Sequence, residues 1–170
     1  AVTGVPAEFS LRGPWVTAQY LDDHSPERFV DGWLRTGDMA TISPRGYLDV
    51  VDREDDIIAS GGELISSVEL EHSVIRDAQV ADAAVIGVPD DRWGHRPLVL
   101  VHLKPGAQVT ARTLWENLEG RVETWKRPDH WAFVTDIPRT SVGKIDKLEI
   151  RARHAAGRYE ITTISPGSQH

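Results

Sequence analysis

The sequence predicts an α+β fold made of two parts with different hydrophobic periodicity. In residues 1–51 apolar side chains recur at every second position, a period typical of half-buried strands. From Ile57 onward, short runs rich in Val and Ala alternate with segments in which apolar residues recur every three to four positions, which indicates strands alternating with helices. We therefore expect a small antiparallel β segment over 1–51, a charged connection over 52–56 and an α/β sandwich over 57–156.

The first part is predicted to form short strands separated by turns, with no helix. The turn signals are the dipeptide Gly13-Pro14 and the tetrapeptide Ser-Pro-Arg-Gly at 43–46. Strand signals fall at residues 9–11, 16–20, 33–34, 39–42 and 47–51.

Three helices and four strands are predicted in the second part. Ser66 followed by Glu69 is a capping box, which predicts a helix over 66–76. Thr110 begins a second amphipathic pattern that continues to Trp125. Further predictions are a helix over 148–156, strands over 57–59, 80–88, 98–103 and 131–134, and a frayed tail over 157–170.

Composition excludes several classes of function. The 170 residues carry 19 Lys and Arg against 26 Asp and Glu, so the formal net charge of −7 argues against a nucleic-acid coat or an anionic-membrane binder. The absence of Cys removes disulfides, thiolate catalysis and Cys-ligated zinc, and the seven His show no metal-ligand spacing. No apolar run approaches the ~18 residues of a transmembrane helix. No signal peptide is visible, so we predict a cytoplasmic protein. From the missing Cys and the scattered His, we also predict that the chain has no metal site of its own.

Two acidic motifs allow both a functional and a structural interpretation. Asp38 follows Gly37 at a strand signal, where a carboxylate can accept two hydrogen bonds from a vicinal diol such as a ribose, or simply stabilise a turn. The run Asp-Arg-Glu-Asp-Asp at 52–56 lies between two strand signals and is equally typical of a solvated charged turn. It lacks the alternating ligands and the central Gly of an EF-hand loop.

Two glycine-containing motifs are also ambiguous. The paired Gly61 and Gly62 allow a thin ligand to approach the backbone closely, but a tight turn requires glycine as well. The Gly-Lys pair at 143–144 is similar to the end of a phosphate-binding P-loop, yet Pro138 stands where the first Gly belongs and Ile145 where Ser or Thr should be. What remains is a lysine on a glycine-containing loop, which is either functional or a solvated surface side chain.

These motifs follow one another in a characteristic order. The strings are Gly-Trp-Leu-Arg-Thr-Gly-Asp at 32–38, Asp-Arg-x-Asp-Asp-Ile-Ile-x-Ser-Gly-Gly-Glu at 52–63, Val-Glu-Leu-Glu at 68–71 and Ile-Pro-Arg-Thr-x-x-Gly-Lys-Ile-Asp-Lys at 137–147. In this order they closely resemble the adenylate-forming superfamily of acyl-CoA synthetases, luciferases and peptide-synthetase adenylation domains. The string at 60–63 and the stretch 126–134 are similar to the fatty acyl-CoA synthetase branch. The resemblance implies the small C-terminal domain of that fold, preceded by a β-strand remnant of its large domain.

The resemblance further implies an ATP-dependent fatty acid–CoA ligase. Such enzymes join a carboxylate to ATP, release pyrophosphate, and then rotate the small domain so that CoA can attack the acyl-adenylate. The implied roles are ribose or phosphate contact for Asp38 and Arg53, a hinge at Asp55 within 52–56, contact with the pantetheine of CoA for Ser60, Gly61 and Gly62, and catalysis by Lys144 on the acyl carboxylate and the α-phosphate.

The phosphate loop and the adenine and magnesium motif of the superfamily have no match in this sequence. ATP and Mg²⁺ would therefore be bound mainly by a large N-terminal domain, with the fatty acid and CoA as the other substrates. We interpret the chain, which starts at Ala1 within a strand pattern, as a C-terminal fragment that is inactive alone. A stand-alone, non-catalytic module that binds CoA or a partner stays the alternative.

Overall fold

The computed structural model describes residues 4–21 and 25–164. The fold divides into two units, at 1–55 and 56–170, each built around its own sheet. None of the helices in the described ranges is long and apolar enough to span a membrane.

The first unit is an antiparallel sheet, as the sequence predicts, and it has four strands. The strands are β1 (Ala7–Leu11), β2 (Phe29–Val30), β3 (Trp33–Ile42) and β4 (Leu48–Arg53). β3 lies in the middle and pairs with each of the other three. The predicted turn before β4 is confirmed, because the Ser43 amide donates to the Tyr47 carbonyl at 2.8 Å and the Gly46 amide donates to the Ser43 carbonyl at 2.9 Å.

Two strand predictions in this unit are wrong. Residues 16–20 form no strand, because the Thr17 hydroxyl donates to the Gln19 carbonyl at 2.6 Å in a local turn that competes with strand pairing. The strands predicted separately at 33–34 and 39–42 are one continuous strand, since β1 pairs with β3 on both sides of the intervening residues.

The second unit combines a six-stranded sheet with three helices. Its strands are β5 (Ile58–Ser60), β6 (Glu63–Ile65), β7 (Val80–Asp90), β8 (Gly94–Leu103), β9 (His130–Phe133) and β10 (Thr162–Thr163). Its helices are α1 (Ser67–Ile75), α2 (Ala111–Asn117) and α3 (Lys147–Ala155). Among the described pairings β8 contacts β5, β7 and β9, and the β8–β9 pairing is parallel while the others in this sheet are antiparallel.

The sheet of the second unit is buried on both faces. Alternate side chains along β7 and β8 point to opposite faces, so each strand contributes to two cores. One core packs the sheet against α1 and α2, and the other packs it against Ile150 of α3, which confirms the predicted α/β sandwich. The first core includes Leu70, Val74, Ala83, Val85, Val99, Val101, Leu114 and Trp131, and the second includes Ala84, Ile86, Leu98, Leu100 and Ala132.

Each helix of this unit begins at a side-chain N-cap, but α2 is shorter than its apolar pattern. The pattern continues to Trp125, whereas α2 ends at Asn117 because Gly120 adopts a φ of +73° and a separate 3₁₀ turn follows. The caps are Ser66, Thr110 and Asp146, whose side-chain oxygens accept from the amide three residues on at 3.0–3.1 Å.

Three short strands have no counterpart in the sequence prediction: β2 of the first unit, and β6 and β10 of the second. β6 follows β5 after only two residues, and β10 lies in the predicted frayed tail. There the Ile164 amide donates to the Asp129 carbonyl at 2.7 Å, and the Ile164 side chain is buried. The tail prediction is therefore wrong for 162–164, while residues 165–170 lie outside the described ranges.

Candidate functional site

Lys144 directly follows the turn of a short hairpin loop in the second unit. Arg139 and Ile145 form an antiparallel bridge at the base of this loop, and the Thr140 amide donates to the Lys144 carbonyl at 2.8 Å. The Gly143 amide donates to the Thr140 carbonyl at 2.9 Å, and the φ of Gly143, +83°, is a conformation that favours glycine. The turn therefore explains the glycine of this motif, and it leaves Lys144 exposed.

The two lysines of the motif have opposite environments. The Lys147 ammonium lies 2.8 Å from Glu71 Oε1 and donates to Ser67 Oγ at 2.6 Å, and the side chains of Lys147 and Glu71 are only 10% and 9% exposed. The Lys144 ammonium, by contrast, has no hydrogen-bond or ion-pair partner among the described residues. Lys147 is thus committed to the interior of the unit, and Lys144 is available to a ligand.

Glu71 connects the end of the Lys144 loop to the sheet. Its Oε1 also accepts from the Val85 amide of β7 at 2.9 Å, so one carboxylate joins α1, β7 and the first residue of α3. Because α3 begins directly after the loop, this buried pair fixes the point at which the loop returns to the fold.

The paired glycines form the two-residue turn of the β5–β6 hairpin. The φ of Gly61 is +61° and that of Gly62 is +89°, and a type I′ turn requires positive φ at both positions. The Gly61 amide donates to the Trp93 carbonyl at 2.8 Å, and a Cβ at Gly61 would lie 2.8 Å from Trp93 Cε3. A Cβ at Gly62 would meet no described heavy atom within 4 Å. The tight turn therefore accounts for both glycines, and contact with CoA stays a prediction.

Ser60 is buried, and its hydroxyl accepts from Arg96 Nη1 at 3.0 Å. The buried Arg96 engages all five of its N–H groups: it also donates to the carbonyls of Trp125 and Arg127, both at 2.8 Å. Its Nε and Nη2 donate to the two carboxylate oxygens of Asp129 at 2.5 and 3.2 Å. This guanidinium fixes the glycine hairpin, and sequence reasoning misses it because its carboxylate partner is 33 residues away.

In the first unit the structure brings together the two residues for which ribose or phosphate contact is predicted. Asp38 on β3 and Arg53 on β4 are register partners, and Arg53 Nε lies 3.7 Å from Asp38 Oδ1. The Arg53 side chain is 70% exposed and that of Asp38 is 35% exposed, so the ion pair is weak and both groups are accessible to a ligand. The Asp38 amide donates to Thr36 Oγ1 at 3.1 Å, which fixes the backbone before the carboxylate.

The predicted hinge residue Asp55 is the last residue of the first unit and is exposed. On one side of it β4 ends at Arg53. On the other side Arg151 Nη2 on α3 lies 2.6 Å from Asp56 Oδ1, which anchors the start of the second unit. Regular structure therefore surrounds Asp55 closely on both sides, while rotation at this residue stays a prediction.

His130 joins the last described strand to the sheet. Its Nδ1 lies 3.2 Å from Thr163 Oγ1 on β10. Partial burial lowers the pKa of the imidazole below its ordinary value, so the neutral form is favoured in the folded chain.

Comparison with known proteins shows which families and enzymes this chain is similar to. Residues 69–144 match the family described as AMP-binding enzyme C-terminal domain. The chain is 41% identical to the 3-methylmercaptopropionyl-CoA ligase of Ruegeria lacuscaerulensis over 144 residues, which are 85% of this chain and 27% of that protein. It is 38% identical to the medium-chain-fatty-acid–CoA ligase of Ectopseudomonas oleovorans, with 84% and 26% covered. It therefore spans about a quarter of the length of these curated relatives.

A solved structure shares the fold of the chain. It is the o-succinylbenzoate CoA synthetase from Bacillus subtilis in complex with its acyl-adenylate intermediate. The TM-score is 0.81 and the identity 30%, and the match covers 89% of this chain and 31% of the solved one. The likeness extends over both units of the fold.

Proposed function

Since this chain carries a match to the AMP-binding enzyme C-terminal domain and is similar to acyl-CoA ligases, we propose that it supplies the catalytic lysine and the CoA-facing hairpin of an ATP-dependent fatty acid–CoA ligase. The observation that carries the proposal is the contrast within one motif: Lys147 is buried against a carboxylate, whereas the ammonium of Lys144 is exposed on a loop of fixed geometry. A large N-terminal domain would supply the rest of the enzyme.

The proposed reaction has two steps. A carboxylate oxygen of the acid attacks the α-phosphorus of ATP and pyrophosphate leaves; the CoA thiol then attacks the acyl carbon and AMP leaves. In the first step an anionic carboxylate must approach a triphosphate, and a cation between them removes a repulsion and stabilises the developing charge. One unit charge at ~4 Å with an effective dielectric of ~20 gives about 4 kcal/mol, or roughly three decades of rate. Lysine suits this role because it is a compact charge on a long, flexible stem.

The acid is proposed to be a fatty acid because one relative is named for medium-chain fatty acids and another for 3-methylmercaptopropionyl, both aliphatic acyl groups. The described residues contain no group of three or more His, Cys, Asp or Glu side chains that could hold a metal ion. The proposal assigns Mg²⁺, together with ATP, to the large domain, because the phosphate loop and the magnesium motif of the superfamily have no match in this sequence.

The remaining predicted residues have compatible positions in this scheme. Asp38 and Arg53 offer a carboxylate for the ribose diol and a cation for a phosphate side by side. Asp55, between two anchored segments, is proposed as the hinge between the two half-reactions. The exposed turn of Gly61 and Gly62 is proposed to face the pantetheine arm, with Ser60, whose hydroxyl accepts from Arg96, at its base.

The proposal is tested by Lys144→Ala in a reconstituted full-length ligase. Adenylation, measured as pyrophosphate release with ATP, Mg²⁺ and fatty acid, is expected to fall by roughly two to four decades, by the Coulomb estimate above. Thioester formation from supplied acyl-adenylate should stay nearly unchanged, because the carboxylate is already activated. Lys104→Ala, at an exposed lysine that only donates to the Ala78 carbonyl, is the matched control.

Two outcomes would contradict the proposal. No loss in either half-reaction would make Lys144 an ordinary surface lysine, and equal losses in both would indicate unfolding. The chain alone is expected to release no pyrophosphate above a boiled control. Tight binding of CoA by the chain alone, together with an inert Lys144, would favour the non-catalytic module instead.

A further inference from the structure

One guanidinium connects the base of the Lys144 loop to its tip. Arg139 Nη1 donates to the Gly143 carbonyl at 2.7 Å, and Arg139 Nη2 forms an ion pair with Asp82 Oδ2. Asp82 lies on β7, 57 residues away in sequence, so the loop is tied to the sheet as well as closed on itself.

Asp82 is a rigid anchor for this contact. Its Oδ1 accepts from the Ala83 amide at 3.0 Å, so the carboxylate is held by its own backbone while Oδ2 meets Arg139. The next two residues, Ala83 and Ala84, are fully buried in the two cores. A β-bulge between Val80 and Asp82 re-aims the strand here, and bulges frequently serve to redirect a side chain.

The contact fixes the peptide group that precedes the proposed catalytic side chain. The Gly143 carbonyl and the Lys144 amide belong to one planar unit. Arg139 holds the oxygen of that unit at 2.7 Å, and Thr140 Oγ1 accepts from its N–H at 3.2 Å. With both ends held, the plane cannot rotate freely, and the direction in which the Lys144 side chain leaves the backbone is set.

We propose that Asp82 and Arg139 form a clamp that positions Lys144 for adenylation, an inference that rests on the proposed function. Neither residue touches the substrates in this proposal; both act through the backbone of the loop. Arginine suits the position because its planar fork serves two acceptors at once, whereas a lysine ammonium is a single point charge. Pre-organising the loop removes part of the ordering cost of bringing a charge to the reacting atoms.

The first test measures loop order in the chain itself. Amide hydrogen exchange at Gly143 and Lys144 is compared in the parent chain and in the variants Asp82→Asn, Arg139→Lys and Arg139→Gln. We expect exchange at these two amides to accelerate about fivefold to tenfold in Asp82→Asn and Arg139→Gln, and less in Arg139→Lys, with the melting temperature nearly unchanged. The control is Glu149→Gln, which removes the exposed Glu149–Arg153 ion pair of α3, whose Nε–Oε1 distance is 2.7 Å. Unchanged amide exchange at Gly143 and Lys144 in both Asp82→Asn and Arg139→Gln would overturn the proposal.

The second test separates positioning from a merely structural role. In the reconstituted ligase, Asp82→Asn and Arg139→Gln are expected to slow adenylation about tenfold, equivalent to about 1.4 kcal/mol, and to leave thioester formation from supplied acyl-adenylate intact. Equal losses in both half-reactions, or none while Lys144→Ala is impaired, would refute the positioning role. If Lys144→Ala itself retains adenylation, the proposed function fails, and the exchange experiment still decides whether the clamp orders the loop.

Discussion

Lys147→Met is expected to destabilise the second unit strongly, whereas replacement of Lys144, three residues earlier, should have little effect on stability. The Lys147 ammonium is 2.8 Å from Glu71 Oε1 in a site where both side chains are about nine-tenths buried. Replacing it by methionine keeps most of the apolar stem and removes the cation from the Glu71 carboxylate. It also removes the donor to Ser67 Oγ at 2.6 Å.

The expected magnitude follows from burial. Removing one partner of a buried ion pair costs about 3–5 kcal/mol, and the lower value applies because neither side chain is completely buried. At about 4 °C per kcal/mol for a unit of this size, the melting temperature should fall by about 12 °C. Lys144→Met, the same substitution on the exposed loop, should change the free energy of unfolding by less than about 0.5 kcal/mol.

The measurement is urea and thermal unfolding of both variants beside the parent chain, followed by circular dichroism. Glu71→Gln combined with Lys147→Met should recover part of the loss, because the double variant no longer carries a buried carboxylate beside an apolar side chain. A loss below about 1 kcal/mol in Lys147→Met would place this pair among ordinary surface ion pairs and refute the reasoning.

Two further predictions concern the glycine turn and His130. Gly61→Ala should lower the free energy of unfolding more than Gly62→Ala. Both positions need a positive φ, but only a Cβ at Gly61 would meet Trp93, at 2.8 Å. Equal losses of the two variants in urea titrations would contradict this packing. Burial lowers the pKa of His130, so the unfolded chain binds a proton at this imidazole more readily than the folded chain does. The contribution of the neutral imidazole to the free energy of unfolding should therefore be complete above about pH 6.5 and decline as the pH falls through that value. His130→Asn should flatten that part of the stability curve, and a curve parallel to that of the parent chain would show that the imidazole does not cause it.

Local signals predicted local structure well. The helix starts at Ser66 and Thr110 are confirmed, because an N-cap is decided by residues three positions apart. The predicted end of α2 is wrong because the apolar spacing continues past Gly120, where Val122 reaches the core without a helix and Trp125 is 40% exposed. Periodicity reports which side chains are buried, and a single glycine can change the backbone between them.

The candidate site was predictable only in part, for the same physical reason. The motif contains Lys144 and Lys147 three positions apart, and its spacing alone does not say which of them is buried. That depends on Glu71, which approaches from another helix. Arg96 and Asp82 give no local signal, since each is defined by a partner 33 or 57 residues away. Motif order points to the chemistry, and tertiary packing assigns the supporting roles.

The carboxylate of Glu71 has a further consequence for the solution behaviour of this unit. Among the described strands β7 has a neighbour on one side only, β8, and a bare strand edge would present backbone donors to which a strand of another molecule could add. The middle of this edge is covered, because the residues from Ala83 to Ile86 are at most 1% exposed. The Val85 amide, near the middle of that edge, is already bound by Glu71 at 2.9 Å. An incoming strand would have to displace a charged group that is itself held by Lys147. We therefore expect the pair to oppose intermolecular β-sheet extension at this edge.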